Sequence, residues 1–216
     1  MRAIAGIAIL LAIAPAGPGV VHAQGKSFEG TVTFESRMDG ESDAFAYSMK
    51  GTRVRIDPQR AEMPMYMVMD ANSQTVRMVM MSENAYMEME LPGGDDEPTD
   101  LENEPVNTGR TDEVAGRKCE IWTMKADGDD YEMCVARDMG SFMGGGGGPM
   151  GRNASSAWQR ELRKGGFFPL RVVEKTGGQN ETVMIATKIE EKKLDDSMFD
   201  VPAGAKKMSM PGGMRP

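Results

Sequence analysis

Apolar and polar residues alternate with a period of two along most of the chain. Over residues 28–36, Phe28, Gly30, Val32 and Phe34 fall on one side, which is the pattern of a half-buried β-strand. Further alternating segments follow at residues 44–50, 52–57, 65–70, 75–81 and 84–91. Short turn signals separate these segments, so the pattern predicts antiparallel strands joined in a meander.

The second half of the chain continues the alternation and adds one helix. Strands are predicted at residues 109–111, from 114 onward, and at 118–124, 131–137, 168–175 and 182–191. The helix is predicted over residues 154–164, where Asn153 can cap its start and Gly165 can end it. Trp158 lies on the face that would pack on the sheet.

The ends and loops divide the chain into three parts. Residues 1–23 combine Arg2, a short apolar run and a small-x-small cleavage site, which predicts a signal peptide cleaved near Ala23-Gln24 and export to the periplasm. The apolar run is short for a membrane span, and no other follows. A single β domain is predicted over residues 24–207, with an acidic loop at 92–108 and a glycine-rich loop at 140–152. Residues 208–216 are predicted to be a flexible tail.

The net charge of the chain limits the kinds of partner it can bind. The chain has a net charge of −8, and the predicted signal holds one arginine and no acid, so the mature chain carries −9. A surface of this sign argues against nucleic acid and against electrostatic binding to anionic lipid.

Two cysteines, Cys119 and Cys134, flank a predicted turn near Gly128. In an exported protein an isolated pair usually forms a disulfide, and folding a hairpin at that turn brings the two close together. The alternative is a reactive or metal-binding thiol pair.

The sequence offers few of the residues that commonly catalyse reactions. Its only histidine, His22, lies in the predicted signal, which removes the commonest general base and the usual zinc ligand from the mature chain. We therefore predict a protein that is not an enzyme, with no catalytic residue, no cofactor and no assigned metal ligands.

Methionine is unusually frequent, with 22 in the chain. Several lie two apart on predicted strands, which places each set on one face of the sheet. They could be ordinary core residues, they could line a deformable apolar cavity, or their thioethers could bind Cu(I). The candidate lining residues, together with Trp158 of the helix, are Met63, Met65, Met67, Met69, Met78, Met80, Met87 and Met89.

Four segments resemble the DUF4412 family of exported bacterial proteins, whose fold is similar to that of the lipoprotein carriers LolA and LolB. They are AGRKCEIW at 115–122, EMCVA at 132–136, GFFPLRVV at 166–173 and DDSMFDVPAG at 195–204. The last is the most specific, although Ala205 stands where the family commonly has an aromatic residue.

The resemblance implies a strongly curved antiparallel sheet, forming an unclosed β-barrel, with one short helix packed on it. Together with the methionines that share one face of the predicted strands, it predicts a periplasmic binding or carrier protein for an apolar ligand, such as a lipid or an acylated protein. The alternatives from the residues themselves are an envelope Cu(I)-binding protein and a non-catalytic module that binds a protein partner.

Overall fold

A computed structural model describes residues 28–38, 41–59, 64–91, 101–126, 128–143 and 167–209. In these ranges the chain is mainly β, with twelve strands and one short 3₁₀ helix at Asp196–Phe199. The strands are β1 (Gly30–Met38), β2 (Glu41–Lys50), β3 (Arg53–Pro58), β4 (Met65–Asp70), β5 (Thr75–Met80), β6 (Ala85–Glu90), β7 (Leu101–Val114), β8 (Arg117–Ala126), β9 (Asp129–Ala136), β10 (Phe168–Thr176), β11 (Gln179–Glu191) and β12 (Lys206–Lys207).

All twelve strands form one unclosed sheet in the order β12-β6-β5-β4-β3-β2-β1-β11-β10-β9-β8-β7. The halves β1–β6 and β7–β11 are each antiparallel meanders, and they join where β1 pairs with β11. Strand β1, the first in the sequence, therefore pairs with β11, the last long strand. The fold class predicted from the sequence, a mainly β protein built on an unclosed antiparallel sheet, is confirmed, with one parallel pairing between β12 and β6.

The predicted acidic loop differs from the structure in its second half. Residues 101–108, predicted to lie in that loop, instead form the first part of β7. This strand lies at a sheet edge, pairs only with β8 and contains several register shifts, so it tolerates polar residues and Pro105. The predicted helix at 154–164 lies outside the described residues, as do most of the glycine-rich loop and the end of the tail.

The sheet curves around an aromatic core. Strands β2 and β10 are three places apart in the sheet, which would separate them by about 14 Å if the sheet were flat. The ring centroids of Tyr47 on β2 and Phe168 on β10 are only 5.6 Å apart, and Phe34 of β1 lies 6.1 Å from Phe168. All three side chains are fully buried. The face that carries Phe34 and Tyr47 is therefore concave, and we call it the inner face.

The segment after β9 covers the aromatic part of the inner face. Phe142 stacks on Tyr47 with ring centroids 5.0 Å apart, and the Phe142 amide donates to the carbonyl of Phe167 at 3.0 Å. The Tyr47 hydroxyl accepts from the Met143 amide at 2.9 Å and donates to the Met143 carbonyl at 3.3 Å. Burial raises the pKa of Tyr47 well above its usual range, so this hydroxyl stays protonated and keeps both bonds.

The opposite, outer face of β3–β6 is covered by residues 192–208, which we call the C-terminal clasp. Its buried Leu194 and Phe199 pack on Tyr66, Val68 and Val79 of the strands. Backbone carbonyls of the clasp accept hydrogen bonds from side chains of the sheet: Lys50 Nζ to Leu194 at 2.7 Å, Arg55 Nη1 to Met198 at 2.9 Å and Tyr66 Oη to Asp200 at 3.1 Å. The clasp ends as β12 on the edge of β6.

The predicted disulfide between Cys119 and Cys134 is present and joins β8 to β9. The register partner of Cys134 is Ile121, two residues from Cys119, so the bond runs diagonally across the hairpin. Both sulfurs are buried in the main core.

Replacing Phe199 by alanine should destabilise the protein by about 3–5 kcal/mol, because a fully buried ring is lost and a cavity remains under the clasp. Urea unfolding followed by tryptophan fluorescence measures the change. The matched control is Met81→Ala, at a position 58% exposed, which should change stability by less than about 0.5 kcal/mol. Equal effects of the two substitutions would contradict the packing role of the clasp.

Stability should fall as the pH drops below about 5 toward 3. A hydrogen bond from Arg53, then one from Lys50, lowers the pKa of Asp196 in the clasp, and a hydrogen bond from Lys207, then one from Arg77, lowers the pKa of Glu88 on β6. Because these pKa values are lower in the folded than in the unfolded state, the stabilisation is complete above the unfolded pKa and is lost as pH falls through the folded pKa.

Thermal unfolding of Asp196→Asn between pH 7 and pH 3 checks this linkage. The variant should be less stable than the wild type at pH 7, and the difference should shrink on acidification. Glu83→Gln, which neutralises an exposed acid between β5 and β6, is the control. A stability difference for Asp196→Asn that stays constant with pH would contradict the assignment.

Candidate functional site

The inner face of β4, β5 and β6 carries a set of methionines that the strand register brings together. Met67 is the partner of Met78, Met78 is the partner of Met87, and Met65 is the partner of Met80. Met69 and Met89 both face Val76. We call this set the methionine face; its members are Met65, Met67, Met69, Met78, Met80, Met87 and Met89.

Period-two spacing explains why the set shares one side. Residues two apart on a strand point to the same face, and directly paired residues of neighbouring strands share that face. The register also joins this side to the inner face of β3, because Ile56 pairs with Met67 and Val54 with Met69. The methionine face is therefore the continuation of the concave aromatic core toward one edge of the sheet.

Burial decreases from the aromatic core toward this edge. Phe34, Tyr47 and Phe168 are completely buried. Met69 and Met78 are buried at 3% exposure, whereas the other methionines of the face are only half-buried. Met69 belongs to the main core, and Met67 packs against it. The methionine face is thus closed to solvent where it meets the aromatic core and accessible to solvent toward the edge of the sheet.

The charged residues of these strands lie on the other side of the sheet. Arg77 of β5 pairs with Glu88 of β6 at 2.8 Å, and Glu88 also pairs with Lys207 of the clasp at 2.7 Å. Arg55 of β3 binds Asp57 at 2.6 Å and stacks over the Tyr66 ring, its Cζ atom 3.7 Å from the centroid. The inner positions of β4–β6 are methionine, valine or alanine. The face therefore offers dispersion contacts and thioether sulfur atoms, and no charge.

A second aromatic cluster involves residues that are distant in the sequence. Trp122 of β8 and Phe167 pack with ring centroids 4.8 Å apart, and the guanidinium of Arg137 lies 4.9 Å from the Phe167 ring. Both rings are half-buried against the main core. Trp122 lies in the segment that resembles the family, but residues 122 and 167 are distant in sequence, so no local pattern could pair them.

Some candidate residues are not placed. Met63 and Trp158 lie outside the described residues. Within the described ranges, no three carboxylate, thiol or imidazole side chains form a group able to hold a metal ion. The same ranges contain no helix with the length and apolar character needed to cross a membrane.

The family model DUF4412, a domain of unknown function, matches residues 28–205. The chain therefore belongs to this family, as the sequence resemblance predicted. No curated protein matches the chain.

Solved structures similar to the chain include PNGF-II in its C2 space group, with 13% identity and a TM-score of 0.47 over 84% of this chain and 30% of that one. The chain thus spans less than a third of the length of that structure. An uncharacterized conserved protein from Thermus thermophilus has 12% identity and a TM-score of 0.49, over 84% of this chain and 90% of that one.

Oxidation by dilute hydrogen peroxide should follow the burial of the methionines, because the thioether must meet the oxidant to become a sulfoxide. Among the methionines whose burial the structure describes, Met81, 58% exposed, should react first, the half-buried ones more slowly, and Met69 and Met133, at 3% and 1% exposure, last. Peptide mass spectrometry over time gives the order. Equal rates for Met69 and Met81 would show that the face is not covered as described.

Proposed function

We propose that this member of the DUF4412 family is an exported binding or carrier protein of the bacterial periplasm, and that it holds an apolar ligand on its methionine face. The ligand class is an acyl chain, presented by a lipid or by an acylated protein. The observation that supports this most is the uncharged face of seven methionines, five of them half-buried, that continues from a sealed aromatic core.

The burial of this face favours a ligand over a simple core. A core residue is normally sealed, as Phe34 and Tyr47 are, because each Å² of apolar surface left in water forgoes about 25 cal/mol. Most of the methionine face is only half-buried. An acyl chain lying along β4–β6 would remove this remaining surface from water, which is the driving force for binding.

Methionine suits an acyl ligand better than a branched side chain does. Its unbranched stem has three rotatable bonds and a polarisable sulfur, so a surface of methionines adapts its shape to ligands of different length. The rows Met67–Met78–Met87 and Met65–Met80 would lie across the strands beneath the ligand.

A binding role agrees better with the sequence than an enzymatic one does. The only histidine, His22, lies in the predicted signal peptide, and Cys119 and Cys134 are joined to each other. Imidazole, the commonest general base, and thiolate, a common nucleophile, are therefore missing from the proposed mature chain.

Native mass spectrometry of the protein purified from the periplasm tests the proposal. We expect a chain that begins at Gln24 and carries bound species with the masses of fatty acids or lipids, or that takes up a fluorescent fatty acid on incubation. A chain that is free of ligand and takes up none would overturn the proposed function. A chain that keeps residues 1–23 would overturn the proposed export.

A pair of matched variants locates the ligand. Met87→Glu places a carboxylate on the half-buried face, and a charge against an acyl chain should lower the affinity for the fluorescent fatty acid at least about tenfold. Met81→Glu makes the same substitution at the exposed turn and should leave the affinity unchanged. Urea unfolding shows whether each variant is folded. Equal affinities for the two folded variants would place the ligand elsewhere.

A further inference from the structure

The centre of the methionine face is a row of three residues on three adjacent strands. Met67 of β4, Met78 of β5 and Met87 of β6 are successive partners in the register. We propose that this row binds one soft monovalent cation, Cu(I) in the cell and Ag(I) as its redox-inert analogue. The proposal does not rest on the apolar-ligand function, because it uses the sulfur atoms of the face rather than its apolar area.

The strand spacing permits three sulfurs to meet at one point. Directly paired residues of neighbouring antiparallel strands have Cβ atoms about 4.5–5.5 Å apart. Met67 and Met87 flank Met78 on its two sides. A methionine sulfur lies one bond beyond Cγ on a freely rotating stem, so the two outer side chains can turn inward above Met78.

The donor chemistry selects the ion. Thioethers are soft, neutral ligands, and they favour Cu(I) over the harder divalent metals. A divalent ion held without an anionic ligand would keep its whole charge in a half-buried site, which is strongly unfavourable. The carboxylate nearest in sequence, Glu88, points to the outer face and is held there by Arg77 and Lys207. A monovalent ion is therefore the cation that this row accommodates.

Burial gives the row both access and protection. Met78 is 3% exposed, whereas Met67 and Met87 on either side of it are half-buried. An ion can enter from the open side and then lie against buried sulfur, away from water. The competing soft ligand, cysteine thiolate, is not offered by Cys119 and Cys134 because they form a disulfide.

Anaerobic competition between the protein and a chromophoric Cu(I) chelator, with ascorbate as reductant, tests the site. We expect one Cu(I) per chain at sub-micromolar affinity, with only sulfur neighbours in X-ray absorption. Because thioethers carry no proton at neutral pH, the affinity should stay constant from about pH 5 to 8, unlike that of a thiolate or imidazole site. A thiol assay on the same sample confirms that the disulfide is intact.

The test variant is Met67→Leu, Met78→Leu and Met87→Leu combined, which removes the sulfurs and keeps the apolar volume. Changing a residue that merely supports a ligand costs about 10- to 100-fold in metal affinity, so losing three ligands should cost at least about 100-fold. Met81→Leu combined with Met208→Leu, both at exposed positions, is the control and should keep wild-type affinity. If the triple variant does not fold, Met67→Leu alone, at a half-buried position, replaces it as the test variant. This single substitution should weaken Cu(I) binding at least about tenfold.

Two results would overturn the site: no Cu(I) or Ag(I) binding tighter than micromolar, or undiminished affinity in the folded leucine variants. The leucine variants also separate this site from the proposed function. They keep the face apolar, so fatty-acid uptake should persist when Cu(I) binding is lost.

Discussion

The curvature of the single sheet is the constraint on which the rest of the structure depends. An apolar sheet face is normally covered by a second layer, but here Tyr47 and Phe168, from strands three places apart, meet across the concave face at 5.6 Å. Around β1, β2 and β10 the sheet curves over its own core, and Phe142 after β9 completes the cover. Farther along the same face, at β4–β6, the cover is incomplete, and this is where the methionines lie. The position of the candidate site thus follows from the geometry of the sheet.

Strand alternation made much of this predictable from sequence. The residues of the methionine face were predicted to lie on one side because a period of two is a local property, visible at Met65, Met67 and Met69 without knowledge of the fold. Long-range pairings leave no such signal, and the Trp122–Phe167 contact and the parallel pairing of β12 with β6 depend on them. Strand β7 was missed over residues 101–108 because an edge strand with bulges needs no apolar alternation.

The C-terminal clasp gives the most specific family segment a structural explanation. In DDSMFDVPAG, the Asp195 side chain accepts from the Ser197 amide and so caps the 3₁₀ helix. Asp196 is paired with Arg53, and Phe199 is buried on the outer face. Asp196 and Phe199 hold the clasp to the sheet, and Asp195 fixes the 3₁₀ helix that carries them. Membership of the family therefore predicts the packing of the clasp on the outer face of β3–β6. The residues available for binding lie on the opposite face, outside the family segment, so their role depends on their own chemistry.

The inner face of β4–β6 offers only two kinds of interaction. With Arg77 and Glu88 paired on the outer side, the inner side of β4–β6 presents hydrocarbon and sulfur without charge. Hydrocarbon there favours any apolar surface that completes the burial, and leucine would supply similar apolar area without the adaptable stem of methionine. Sulfur adds a soft lone pair, and leucine would not replace it. An adaptable apolar face needs methionines but no particular alignment of their sulfur atoms, whereas the register places Met67, Met78 and Met87 side by side on three adjacent strands, which is the arrangement a soft cation requires.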